Sequence, residues 1–175
     1  MRQALGIILL LTFGSAQAAL ITADNGLAAY DTETNLTWVL NGDLFGGQNY
    51  YVPSTASIAS LDVDGVTGWR MASQANDELG YLYNEHGITA ANSGPFFNLN
   101  GSWTDTPIAG DPNGIWGFSF HSGSYVGLHK GNNLAFALAV QEGDVFNAAV
   151  PVPAAVWLFG SALGGLGWMR RRKTS

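Results

Sequence analysis

Apolar positions along the chain fall into three patterns. Residues 5–13 form an apolar run broken only by Gly6 and Thr12. Residues 154–169 form a second run, built from Ala, Val, Trp, Leu, Phe, Gly, Ser and Met without one charge. Between the two, short apolar stretches alternate with turn-forming residues. Residues 27–30 and 36–40 flank Asp31-Thr32-Glu33-Thr34-Asn35, and the pattern predicts a hairpin. Residues 42–51 are rich in Gly and Asn and predict a loop, 55–61 a short helix and 62–68 another loop. Over 73–86, Leu79, Leu82, Tyr83 and His86 recur at helical spacing. Ser73 suits the N-cap, Asp77 and Glu78 suit the first turns, and Gly87 is a natural stop. Residues 90–100 predict a loop. Residues 115–121, 125–129 and 134–140 predict strands, with Ser122-Gly123-Ser124 and Gly131-Asn132-Asn133 as hairpin turns. One or two helices and an antiparallel sheet around them make an α+β domain over residues 19–149.

The two apolar runs are a different kind of object. Arg2 precedes the first, and Ala16-Gln17-Ala18 follows it as a small-x-small cleavage site, with Ala18 and Ala19 flanking the cut. That order is a secretory signal peptide over residues 1–18, read by the Sec translocon. The second run is about 24 Å long as a helix, against a bilayer core of roughly 30 Å. With Val150 and Val152 it just crosses, and Arg170, Arg171, Arg172 and Lys173 hold its end on the cytoplasmic side. Pro151 and Pro153 fix an extended chain just outside the membrane.

The tail from Val150 and Pro151 through Pro153, Ala154, Ala155 and Trp157-Leu158-Phe159-Gly160-Ser161-Ala162-Leu163 to the basic end resembles a PEP-CTERM sorting signal. Val152 stands where that family's eponymous motif has an acidic residue. The resemblance implies cutting near the prolines by an exosortase. It also implies a Gram-negative bacterium that makes exopolysaccharide, and a place at the cell surface or outside the cell.

Charge separates the middle from the ends. The chain has 175 residues, 7 basic and 13 acidic. All the acids lie between residues 19 and 150, with only Arg70 and Lys130 as cations there, so that stretch carries 2 − 13 = −11. Such a region is a poor partner for DNA or RNA. The chain has no cysteine, which removes disulfides, thiolate metal sites and thiol nucleophiles.

The middle contains, in order, Asp31-Thr32-Glu33-Thr34-Asn35-Leu36-Thr37-Trp38, Gly68-Trp69-Arg70-Met71-Ala72-Ser73 with Glu78-Leu79, Ser102-Trp103-Thr104-Asp105-Thr106, Ile115-Trp116-Gly117-Phe118 and Leu138-Ala139-Val140-Gln141. This ordered set resembles the Lcl C-terminal-like family, the C-terminal domain of a collagen-like adhesin. Met71-Ala72-Ser73 replaces Leu-Pro-Thr, and Gln141 replaces a final Arg. The resemblance implies a C-type-lectin-like fold related to sulfatase-modifying enzymes, whose metal or cysteine chemistry this chain lacks the residues to repeat.

Trp38, Trp69, Trp103 and Trp116 are either core residues or platforms for sugar rings. Arg70, after Trp69, is read as tying backbone carbonyls or a carboxylate such as Glu78. The three histidines have no ligand spacing, with His86 at a helix end and His121 and His129 on strands. Asp62 and Asp64 in a D-x-D-G loop, with Asp105, Asp111 and Asn113 in another, are oxygen donors at spacings that suit calcium, or else ordinary turn formers. No other cofactor is indicated. Nucleophile-elbow, P-loop and H-E-x-x-H patterns are absent, and the chain reads as non-catalytic. Three readings stay open: a surface or matrix protein that binds glycan or exopolysaccharide, a structural surface protein without ligand, and a degenerate enzyme-like domain. The adhesin relatives suggest a sulfated ligand, but a charge of −11 repels polyanions.

The protein recovered from its native cells and medium is expected to begin at Ala19 and end between Val150 and Ala154. Intact mass and C-terminal peptide sequencing check this. A tail that still reaches Ser175 would mean a membrane-anchored protein and would discard the exosortase reading.

Overall fold

A computed structural model of the protein describes residues 19–44 and 46–146. The expected signal segment and the sorting tail, Val150, Pro151, Pro153, Ala154 and Arg170 to Arg172 included, lie outside the described residues. Among the described residues no helix is long and apolar enough to cross a membrane.

The elements in chain order are β1 (Leu20–Thr22), β2 (Ala28–Asp31), β3 (Leu36–Val39), α1 (Tyr51–Ala59), β4 (Arg70–Met71), α2 (Glu78–Asn84), β5 (Gly101–Pro107), β6 (Gly114–Ser119), β7 (Ser124–His129), β8 (Phe136–Ala137) and β9 (Ala139–Glu142). This is an α+β fold, mostly sheet with two helices. The expected hairpin is β2–β3, paired antiparallel from Ala28 opposite Val39 to Asp31 opposite Leu36. Asp31 shapes its turn. Its carboxylate accepts the Glu33 N–H at 3.0 Å and the Thr34 hydroxyl at 2.7 Å, although the residue is fully buried. Asn35 then takes the left-handed conformation, φ 57°, that closes the turn.

The strands form two sheets rather than the single antiparallel one expected. The first runs β1-β2-β3-β9-β4 and the second β7-β6-β5-β8, with β5 and β8 parallel. The apolar stretch 134–140, expected as one strand, is divided at Leu138. Its first part is β8 of the second sheet, and its continuation is β9 of the first. Residues 131–133 are a turn but not a hairpin turn, because β7 and β8 lie at opposite edges of their sheet. Strands β1, β4 and β5 escaped the apolar pattern: β1 and β4 are only three and two residues long, and β5 is rich in Ser and Thr.

The helices also differ from expectation. Helix α1 begins at Tyr51 and carries Pro53 in its first turn, where a missing N–H costs nothing. Helix α2 begins only at Glu78, and Ser73 does not cap it. Asp77 is left-handed, φ 53°. The preceding turn is held from outside instead: the Gln74 and Ala75 N–H groups donate to Thr106 Oγ1 on β5 at 3.0 and 3.3 Å.

Alternate side chains of both sheets feed two cores. One gathers Trp38, Leu79, Leu82, Phe118, Phe120, Leu138 and Val140 and packs α2. The other gathers Ile58, Trp69, Met71, Trp103, Ile115 and Ala139 and packs α1. In the first, Phe118 meets the rings of Phe120 and Tyr125 edge-on, with centroids 5.0 and 4.9 Å apart. Such contacts add about 0.5–1.5 kcal/mol each beyond area burial. Gly123, φ +66°, closes the β6–β7 turn, and a Cβ there would run into the ring of Tyr83.

At the point of exchange between the sheets, Leu138 is fully buried, and its N–H donates to Ser102 Oγ on β5 at 3.1 Å. Replacing Ser102 with Ala leaves that N–H buried without a partner. The expected loss is about 1–3 kcal/mol of stability, measured as a lower urea midpoint with unchanged slope. An unchanged midpoint would show that the hydroxyl does not secure the junction.

Candidate functional site

Arg70 is the single arginine between residues 19 and 150, and it organises a polar cleft. Strand β4 places it beside the first turn of α2. There its guanidinium donates to both carboxylate oxygens of Glu78, at 2.9 and 2.7 Å, and to the Met71 carbonyl at 3.1 Å. Glu78 Oε2 also accepts the Ser73 N–H at 2.7 Å. The expectation for Arg70, a backbone carbonyl or Glu78, is met on both counts. The Glu78 side chain is 6% exposed and that of Arg70 35%, so the pair straddles the surface. The hydrogen bond to Glu78, followed by the charges of Glu78, Asp105 and Glu142, holds the Arg70 pKa above its ordinary value against the cost of burial.

Around this pair opens a cavity of about 400 Å³. The β2–β3 turn contributes Thr34, Asn35 and Leu36, the turn before α2 contributes Asn76, α2 contributes Tyr81, and the end of β9 contributes Glu142. Small-ligand pockets run roughly 300–1,000 Å³. The lining is hydroxyl, amide, carboxylate and guanidinium groups with one aromatic ring and the Leu36 side chain. It can hydrogen-bond to a hydroxyl-rich ligand from several sides. Burial pushes the Tyr81 phenol up to about 12, with a hydrogen bond to Glu33 and the charges of Glu33, Asp31 and Glu85 acting the same way. Tyr81 is therefore neutral, and both donor and acceptor, at physiological pH.

The residues singled out in the sequence are dispersed. Trp38, Trp69 and Trp103 are core, at 1%, 4% and 0% exposure. Trp116 is half-buried on β6 and does not line the cleft. Asp62 accepts the Gly65 N–H and Asp64 the Asn25 side-chain amide, both within or beside the loop before β4. Asp105 accepts the Thr106 hydroxyl on β5, and Asp111 accepts the Asn113 N–H in the β5–β6 turn. Among the described residues no three His, Asp or Glu side chains are grouped so as to hold a metal ion. His121 lies in the β6–β7 turn rather than on a strand, and His86 lies beyond the end of α2. His86 Nε2 stands 3.2 Å from the Asp31 carboxylate, off the line of a hydrogen bond. Ala19 exchanges hydrogen bonds with Thr32: its N–H reaches Thr32 Oγ1 at 3.3 Å, and its carbonyl accepts the Thr32 N–H at 3.2 Å.

Asn35, Asn76, Tyr81 and Glu142 were not singled out in the sequence. Tyr81 carried a usable signal, lying one helical turn beyond Glu78. Glu142 carried none, because only the pairing of Leu36 with Glu142 brings it to the cleft. Compared with known protein families and with characterised proteins, the chain matches none.

Tyr125 behaves like Tyr81: burial pushes it up to about 12, and Asp77 adds to the shift. A phenol raised in the fold is neutral there while its unfolded counterpart ionises near 10. Its contribution is therefore complete below pH 10 and is lost as pH rises through about 12. Tyrosinate absorbance is expected to show a late-titrating class that loses one member in Tyr81→Phe and another in Tyr125→Phe. All tyrosines titrating together near pH 10 in the folded protein would contradict this.

Proposed function

We propose that this is an exported, exosortase-sorted protein of the cell surface or extracellular matrix. Its middle region is a non-catalytic, C-type-lectin-like domain that binds neutral polysaccharide in the cleft around Arg70. The chain ends support the sorting: an export signal at one end, and a proline motif, apolar span and basic cluster at the other. The membrane holds only the precursor, through the C-terminal helix. The observation that carries the binding is the cleft itself, in which an aromatic ring, two amides and hydroxyls converge. Sugars are recognised by such convergent polar groups and by an aromatic face.

Charge selects the ligand class. Glu78 engages Arg70. Lys130 donates to the Pro112 carbonyl at 2.9 Å and lies over the Tyr51 ring at 5.7 Å. Both cations of the region are thus committed internally, and Glu142 faces the cleft unopposed by a second cation. A polyanion finds repulsion there unless calcium bridges it, whereas a neutral glycan meets the hydrogen-bonding groups without that repulsion.

Affinity electrophoresis and calorimetry across neutral and acidic polysaccharides, with and without calcium, test the reading. Neutral polysaccharide is expected to bind without calcium, and Tyr81→Ala or Asn76→Ala to weaken it roughly tenfold, about 1.4 kcal/mol. Loss of binding in Trp116→Ala but in neither cleft variant would move the site to the β6 face. No binding to any polysaccharide would leave a purely structural protein, and turnover of one would make it an enzyme.

A further inference from the structure

Strand β7 is the outer strand of the second sheet, and its free edge has a definite register. It pairs with β6 over six residues without a bulge, from Gly114 opposite His129 to Ser119 opposite Ser124. The Lys130 N–H donates to the Asn113 carbonyl. In an antiparallel ladder the residues that exchange hydrogen bonds alternate, so Leu128, Val126 and Ser124 face β6. Tyr125, Gly127 and His129 turn their main-chain groups outward. His129 is closed off by its own turn: its N–H donates to Asn133 Oδ1 at 2.6 Å, and its carbonyl accepts the Asn132 and Asn133 N–H groups. The outward main-chain groups of Tyr125 and Gly127 meet no partner among the described residues.

Two open residues, one place apart on either side of Val126, are self-complementary. We propose that β7 is an interface for a second copy of the chain, paired antiparallel about a two-fold axis at Val126. Tyr125 of each copy then exchanges two hydrogen bonds with Gly127 of the other, four in all. The two four-stranded sheets become one of eight strands. At the axis the two Val126 residues are a non-hydrogen-bonded pair, the closer kind, on the same face of the joined sheet. Val126 is 38% exposed in the single chain, and the pairing covers it.

Two further features favour this occupant. Natural edge strands are blunted by Lys, Pro or bulges, and β7 has none of them. The chain is strongly acidic, yet residues 120–129 contain no acidic residue. Two copies therefore meet here without the repulsion that most of the surface would impose. The proposal does not depend on the polysaccharide reading, since the cleft lies on other elements.

The absence of cysteine makes a direct test available. In the proposed dimer, Val126→Cys places two thiols with Cα atoms about 4.5 Å apart, inside the disulfide range of roughly 4.4–6.8 Å. The full chain carrying Val126→Cys is expected to become a disulfide-linked homodimer under mild oxidation. Val52→Cys, at an exposed position on α1, is expected to stay largely monomeric. Sedimentation of the cysteine-free chain should show a dimer that Val126→Lys converts to monomer with unchanged circular dichroism. A monomer at all concentrations, a dimer that persists in Val126→Lys, equal crosslinking of the two cysteine variants, or crosslinking to a different protein would each overturn the proposal.

Discussion

The seven residues from Phe136 to Glu142 hold the two sheets together. The chain passes from the edge of one sheet through Leu138 into the interior of the other. Neither sheet is complete without this passage. Among the described residues strand β4 has β9 as its only strand partner, and β3 gains its second neighbour from β9. Burial explains the sharpness of the crossing. Ala137, Leu138, Ala139 and Val140 are each at most 1% exposed and feed both cores in turn. A segment buried on both faces reads as a continuous apolar run, which is why its division between sheets leaves no mark in the hydrophobic pattern. The pairing of β3 with β9 also joins residues about a hundred positions apart. Loop closure makes such long-range pairing slow.

The cleft is a consequence of that late strand. Glu142 ends β9 opposite Leu36, and β4, docked on the other side of β9, carries Arg70 to α2. A bidentate guanidinium–carboxylate pair this well buried on the Glu78 side has directional value beyond its net energy. Removing Glu78 leaves the Arg70 charge and the Ser73 N–H without a counterpart, and removing Arg70 leaves the buried Glu78 carboxylate without its cation; both are costly. The pair thus fixes the start of α2 at Glu78 and, with it, the position of Tyr81. In so doing it uses the only arginine of residues 19–150, so that guanidinium is already neutralised within the cleft wall.

Much of this was legible along the chain, for local reasons. The β2–β3 hairpin follows from Asp31, Thr34 and Asn35, whose turn chemistry acts within five residues. The partnership of Arg70 with Glu78 could be read because Glu78 lies only eight residues further along the chain. The start of α2 could not. Ser73 looks like a cap, but Thr106, more than thirty residues away, binds the following turn, and Asp77 is held left-handed. The assignment of Trp116 was equally closed to sequence. Four tryptophans in similar apolar settings are indistinguishable until the sheets show which three face a core.

The sequence alone determined the acidic α+β middle and its turn chemistry, and it is the sole ground of the proposed export signal and membrane-directed tail. Each rests on composition, or on interactions between residues close in the chain. The tertiary structure alone decided that there are two sheets rather than one, that β8 and β9 part at Leu138, and that Asn35, Asn76, Tyr81 and Glu142 share a cavity. It also decided that the outward residues of β7 are Tyr125 and Gly127. Those facts depend on strand partner and register, which are chosen by the collective burial of many side chains and are not encoded at any single position.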